Sequence, residues 1–144
     1  MIFSKKLSWF LLISLFAFDA VFSYWAVVYK SAHEANPAIK SIVEAYPLLY
    51  FVTVPALIPI MYLIYKGLFL FANKLFAKVE KEILEKVVLT ALVIYWILGN
   101  SSVNFMFLFG HRQPAYVWYL TATLAIIPAL VYTLLVLRKQ PSGK

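Results

Sequence analysis

The chain has no cysteine and only four glycines among its 144 residues. Without cysteine it has no disulfide, thiolate metal site, iron–sulfur cluster or thiol catalysis. The patterns GxGxxG, GxxxxGK[ST] and HExxH are absent too, which excludes the common phosphate-binding loops and the zincin type of metalloprotease. Charged residues make up only 13% of the chain, whereas soluble domains contain about 25%.

Hydrophobic residues, by contrast, make up 64% of the chain, and its mean hydropathy is +0.85. A domain of this size leaves much of its surface exposed, so a soluble core could not hide this excess. The sequence therefore predicts an integral membrane protein and argues against a soluble enzyme or a disordered chain.

Four apolar segments have the roughly 20 residues that a helix needs to cross a bilayer. They are residues 7–29, 47–72, 87–110 and 115–137. Asp19 is the only charge in the first, and Lys66 interrupts the second. We predict an all-α fold, a polytopic four-transmembrane-helix bundle that forms a single domain over residues 1–144.

The loops add two shorter helices to this prediction. Residues 37–46 form a short amphipathic helix in the outer interface, with Asn36 as its N-cap and Pro37 in its first turn. Residues 73–86 carry a helical apolar stripe and are interpreted as a cytoplasmic helical extension of the third span. A helix that docks a protein partner is the alternative.

The basic residues predict the orientation in the cell membrane. Of the 13 Lys and Arg residues, two lie before the first span, five lie in or next to the second loop, and three lie in the C-terminal tail. The positive-inside rule therefore places both termini in the cytoplasm. We expect the basic inner face to contact anionic lipid of the bilayer, and we expect no nucleic acid.

A polar face on the first span carries the functional prediction. Asp19 lies 12 residues into the span, or roughly 18 Å at 1.5 Å per residue, near the midplane. An acid there costs at least ~2.5–3.5 kcal/mol and is a functional candidate by default. Ser23 follows one turn farther along the same face.

The third span carries matching polar residues. Asn100 and Asn104 lie 13 and 17 residues after position 87, whereas Asp19 and Ser23 lie 12 and 16 residues after position 7. Counting by depth therefore places Asp19 level with Asn100 and Ser23 level with Asn104, and Ser101 flanks them. We predict that the two faces meet in an intramembrane polar site that is open to the extracytoplasmic side. Interhelical hydrogen bonding with a purely structural role is the alternative.

Further polar residues are predicted at the outer mouth of this site. They are His33, Glu34, Asn36, His111 and Arg112. His33, Glu34 and His111 offer enough ligands for a divalent metal ion, although their spacing matches no established metal motif. A His–Glu proton relay and ordinary loop residues are the alternatives.

Asp19 followed by the segment Glu34-Ala35-Asn36-Pro37 resembles a family of small, uncharacterised prokaryotic multi-pass membrane proteins. That family shares an intramembrane Asp followed by a Glu-x-Asn-Pro segment. The resemblance covers roughly the first half of the chain and implies that Asp19, Glu34, Asn36 and Pro37 belong together. It implies no activity.

Three functions fit these residues. The first is a component of an ion, proton or small-solute transporter or channel, and because four spans are few for a transporter, this version predicts a homo-oligomer. The second is a non-catalytic assembly or accessory subunit, in which the polar residues fix helix register. The third is a metal-dependent intramembrane hydrolase. The residues favour the first over the second and the second over the third.

Overall fold

The computed structural model describes residues 2–30, 40–101, 104 and 115–139, and this part of the chain is helical, without strands. The elements are α1 (Lys5–Lys30), α2 (Lys40–Ala45), a 3-10 turn (Pro47–Leu49), α3 (Tyr50–Leu75), α4 (Lys81–Trp96), a π turn (Ile97–Ser101) and α5 (Ala115–Arg138). The all-α prediction is confirmed for the described residues.

Two of these helices are long and apolar enough to cross a membrane. They are Lys5–Lys30 and the continuous stretch Pro47–Leu75. Both present large apolar side chains outward, and Phe10 and Leu63 are 66% and 69% exposed. Contiguous apolar surface is unfavourable in water but ordinary against lipid. The outward faces are therefore compatible with a location in a membrane.

Helix α4 lies at the centre of the fold, because it packs against α1, α3 and α5. Its buried side chains are Leu84, Val87, Val88, Leu89, Thr90, Leu92 and Val93. The main core is formed where these side chains meet Leu12 and Phe16 of α1, Met61 and Tyr65 of α3, and Leu137 of α5.

Contacts along the helices fix their relative directions. Lys5 and Phe16 of α1 contact Glu85 and Trp96, so both partners advance together and α1 runs parallel to α4. Helix α3 contacts α1 through Tyr62, whose ring centroid lies 6.3 Å from that of Trp9. The fold thus brings the C-terminal part of α1 close to the chain that follows α4.

The predicted and observed elements differ mainly at the loops. The first and fourth predicted spans fall within α1 and α5, but α3 begins at Tyr50 after a separate 3-10 turn. The segment 73–86 is not one helix, because α3 continues to Leu75, a turn covers 76–79, and α4 begins at Lys81. This turn allows Phe76 and Val79 to pack against the main core.

Candidate functional site

The site centres on a hydrogen bond between α1 and the chain beyond the π turn. The Asn104 side-chain amide donates from Nδ2 to Oδ1 of Asp19 over 2.6 Å. Both side chains are partly buried. The structure therefore brings together the acid of the first predicted span and an amide of the third, although 85 residues separate them in the chain.

The local backbone explains how Asn104 reaches this position. Helix α4 gives way to a π turn at Ile97, and the turn packs against α1 and α5. A π turn adds one residue to a helical turn and often occurs at functional sites. Counting by depth placed Asn104 one turn farther out, level with Ser23, but it contacts Asp19.

The other predicted residues of the polar site are described only in part. Ser23 lies one turn beyond Asp19 on α1 and is partly buried. Asn100 and Ser101 belong to the π turn by their backbone, but their side chains lie outside the described part of the chain. No structural statement about those two side chains follows.

The predicted outer mouth also lies outside the described residues. This applies to His33, Glu34, Asn36, His111 and Arg112, and so to the whole predicted metal set of His33, Glu34 and His111. Among the described residues there is no cluster of three or more His, Cys, Asp or Glu side chains that could hold a metal ion. The divalent metal ion stays a prediction from the sequence.

An apolar layer lies between the Asp19–Asn104 bond and the N-terminal ends of α1 and α4. It contains Leu12 and Phe16 of α1, with 0% and 1% of their surface exposed, and Leu89 and Val93 of α4, each at 0%. The rings of Phe16 and Trp96 meet edge to face with centroids 4.4 Å apart. Close apolar packing of this kind excludes water.

A smaller apolar cluster lies on the other side of Asp19. Ala20 of α1, Val43 of α2 and Tyr50 of α3 are each at most 3% exposed and pack together. The side chain of Tyr24 packs against this cluster from α1. Helix α2 therefore lies against α1 within one helical turn of the acid.

Sequence reasoning missed a second polar group at the N-terminal ends of α1 and α4. The Thr90 hydroxyl accepts a hydrogen bond from the Phe3 backbone N–H at 3.1 Å and donates to the Lys86 carbonyl at 2.8 Å. Tyr132 of α5 hydrogen-bonds to the same hydroxyl. The sequence signal was a single threonine within the apolar run of α4.

An ion pair lies next to this group. Lys5 contacts Glu85 through its ammonium group, and this hydrogen bond holds the pKa of Glu85 below its usual range although partial burial opposes the shift. Glu82 pairs with Lys86 over 2.7 Å, and that hydrogen bond lowers the pKa of Glu82 in the same way. The ends of α1 and α4 are therefore held together by charge as well as by packing.

Asp19 is the one residue of the resemblance described above whose surroundings the structure shows, because residues 34–37 lie outside the described part. No protein-family model, curated protein or solved structure matches the chain.

Proposed function

We propose that the chain is a multi-pass membrane protein and that Asp19 and Asn104 form an intramembrane polar site for an ion, a proton or a small solute. The protein acts as a transporter or channel component, and it works as a homo-oligomer. The observation that carries this proposal is the 2.6 Å hydrogen bond between the two side chains. A carboxylate beside an amide can bind a proton or a cation and still keep its amide donor.

Energetics favour a functional site over simple helix adhesion. A charged acid at the centre of a bilayer costs at least ~2.5–3.5 kcal/mol, whereas an interhelical hydrogen bond in a membrane contributes roughly 0.6–2 kcal/mol. The bond to Asn104 alone therefore offsets only part of that cost. An acid within a predicted span is typical of proton and ion pathways.

Helix lengths support four crossings in this proposal. Helix α5 has 24 residues and so measures about 36 Å at 1.5 Å per residue. The predicted third span, 87–110, begins inside α4 and takes in the π turn that follows this helix. With α1, α3 and α5 it makes the four spans of this proposal, with both termini in the cytoplasm by the positive-inside rule.

Transport through the Asp19 site would require the apolar layer to open. Asp19 is separated from the N-terminal ends of α1 and α4 by three buried side chains, those of Leu12, Phe16 and Val93. The site is therefore closed on that side in this conformation. A transported ion would have to pass this layer after it opens. Pro55 and Pro59 inside α3 interrupt that helix's hydrogen bonding and so allow it to bend.

The experiment compares three proteins in sealed vesicles. Wild type, Asp19→Asn and Thr133→Val are reconstituted, and potential-driven proton and potassium fluxes are recorded with an internal dye. Thr133 is a matched control, because its hydroxyl bonds to the Ala129 carbonyl of its own helix at 2.8 Å. We expect flux in wild type and Thr133→Val and its loss in Asp19→Asn.

Two results would contradict the proposal. The first is wild-type flux no higher than that of empty vesicles. The second is unchanged flux in Asp19→Asn together with an equal or higher melting temperature. That second result would favour the accessory-subunit function, because replacing a buried charge that has only a structural role often stabilises a protein.

A further inference from the structure

An apolar groove runs along the surface between α1 and α3. It is lined by Trp9 and Ile13 of α1 and by Ile58, Pro59 and Tyr62 of α3, it is largely open to the surroundings, and its volume is about 420 Å³. The two walls belong to the two helices that are long and apolar enough to cross a membrane.

Both walls of the groove end in a lysine. On α1, Lys6, Trp9 and Ile13 lie at i, i+3 and i+7, and on α3, Pro59, Tyr62 and Lys66 repeat this spacing. Because residues at this spacing share one face of a helix, each stripe carries its lysine on the groove side. Trp9 contacts Tyr65 and Tyr24 contacts Phe51, so α1 and α3 run in opposite directions. Lys6 and Lys66 therefore lie at the same end of the groove.

Aromatic rings position the second of these lysines. The Lys66 ammonium lies 5.5 Å from the ring centroid of Tyr62, which lines the groove, and 5.4 Å from that of Tyr65. A cation over an aromatic face is held there by the ring quadrupole. The Trp9 ring lies 6.0 Å from that of Tyr65 and completes the aromatic floor.

The charge at this end of the groove is positive. Glu85 pairs with Lys5 and also interacts with the charge of Lys66. One carboxylate therefore faces the three lysines Lys5, Lys6 and Lys66, and the net charge at this end stays positive. Lys6 is exposed and Lys66 is partly buried. The groove thus combines apolar walls with a cationic end, which the predicted spans place near the membrane surface.

We infer that this groove binds one anionic glycerophospholipid of the leaflet on the side of the N-terminus. One acyl chain lies along Trp9, Ile13 and Pro59, and the phosphate lies between Lys6 and Lys66. Basic pockets between membrane helices bind lipid headgroups in this way. The inference rests on the membrane location in the proposed function, but it does not depend on the Asp19 site.

The experiment measures lipid retention by native mass spectrometry of delipidated protein in detergent. Dioleoyl-phosphatidylglycerol is compared with dioleoyl-phosphatidylcholine, which has the same chains and no net charge. Because each lysine near a membrane surface contributes about 1 kcal/mol, we expect about tenfold or greater preference for the anionic lipid. Glycerol 3-phosphate at the same concentration should not displace it, because the free headgroup lacks a chain for the groove.

Matched variants locate the binding. The double change Lys6→Gln and Lys66→Gln should abolish the preference, whereas Lys74→Gln with Lys78→Gln should keep it, because these lysines lie beyond the groove on α3 and the following turn. Ile58→Trp fills the groove and should reduce retention of both lipids. Lys66→Arg should keep the preference, which separates loss of charge from loss of folding.

Three outcomes would overturn the inference. One is equal retention of the two lipids by wild type. Another is the same loss of preference in both double lysine variants. The third is a change from dimer to monomer in Ile58→Trp with lipid retention unchanged, because the groove would then hold a second copy of the chain.

Discussion

The rings of Phe16 and Trp96 meet edge to face, three residues before Asp19 on α1 but eight residues before Asn104 in the segment that begins with α4. At 1.5 Å per residue these intervals correspond to about 4.5 Å and about 12 Å of α-helix. Two straight α-helices packed side by side would not bring both intervals to the same level. The π turn at Ile97–Ser101 lies within this interval.

The bond between Asp19 and Asn104 should appear as a coupling free energy. We expect Asp19→Ala, Asn104→Ala and the double variant to show a coupling of about 0.6–2 kcal/mol in unfolding free energy. The measurement is reversible unfolding in mixed detergent micelles. If the destabilisation of the double variant equals the sum of the two single variants to within about 0.3–0.5 kcal/mol, the two side chains do not stabilise each other.

Phe16 should block proton passage between the Asp19 site and the N-terminal ends of α1 and α4. Replacing Phe16 with Ala removes a ring that is 1% exposed and leaves a void beside Trp96. We expect a severalfold higher passive proton leak in vesicles, recorded with an internal pH dye. Phe18→Ala is the control, since Phe18 is 44% exposed on the outer face of α1. An equal leak in both variants would contradict this role.

Glu85 should make stability depend on pH. Its pKa is lowered in the folded protein, mainly by the hydrogen bond from Lys5, so it stabilises the fold above the usual glutamate pKa. This stabilisation is lost as the pH falls through the lowered pKa. We expect the unfolding free energy to fall between about pH 6 and about pH 3.

The comparison of two glutamine variants tests this assignment. The fall in unfolding free energy at low pH should be smaller in Glu85→Gln, because the titrating carboxyl is gone. Glu80→Gln removes the same charge from the preceding turn and should keep the full fall. Identical pH profiles for wild type and Glu85→Gln would show that the ion pair does not stabilise the fold.

The absence of cysteine allows the number of spans to be counted directly. Single cysteines at Ser41, Lys78, Gln113 and Lys139 are labelled with a membrane-impermeant maleimide in intact cells. Four spans place positions 41 and 113 outside and positions 78 and 139 inside. Labelling of position 41 but not of position 113 in intact cells would leave only α1 and α3 as spans.

The long apolar segments allowed the helices to be predicted from the sequence. The first predicted span, 7–29, falls within α1 (Lys5–Lys30), and the fourth, 115–137, falls within α5 (Ala115–Arg138). The turn at 76–79 was not predicted, because Phe76, Val79 and Ile83 have helical spacing. All three contact the core from a turn and the start of α4, an arrangement that only tertiary packing determines.

The partner of Asp19 was harder to predict, because counting by depth assumes that both helices are regular and begin at the same membrane edge. Helix α4 begins at Lys81, six residues before the predicted span. The π turn then changes the register again before Asn104. The apolar residues of Ile97–Ser101 show no pattern that would indicate a change of helical register. Gly99, which has a low helix propensity, is the one local sign of a weakened helix there.

The π turn makes the Asp19 site depend on the backbone of a segment that supplies neither of its bonded residues. If Ile97–Ser101 adopted ordinary α-helix with its length unchanged, every later side chain would turn by about 100° about the helix axis. The Asn104 amide would then point away from the acid while every apolar residue was retained. Two homologues of equal length and hydrophobicity would therefore differ in this site if only one of them kept this turn.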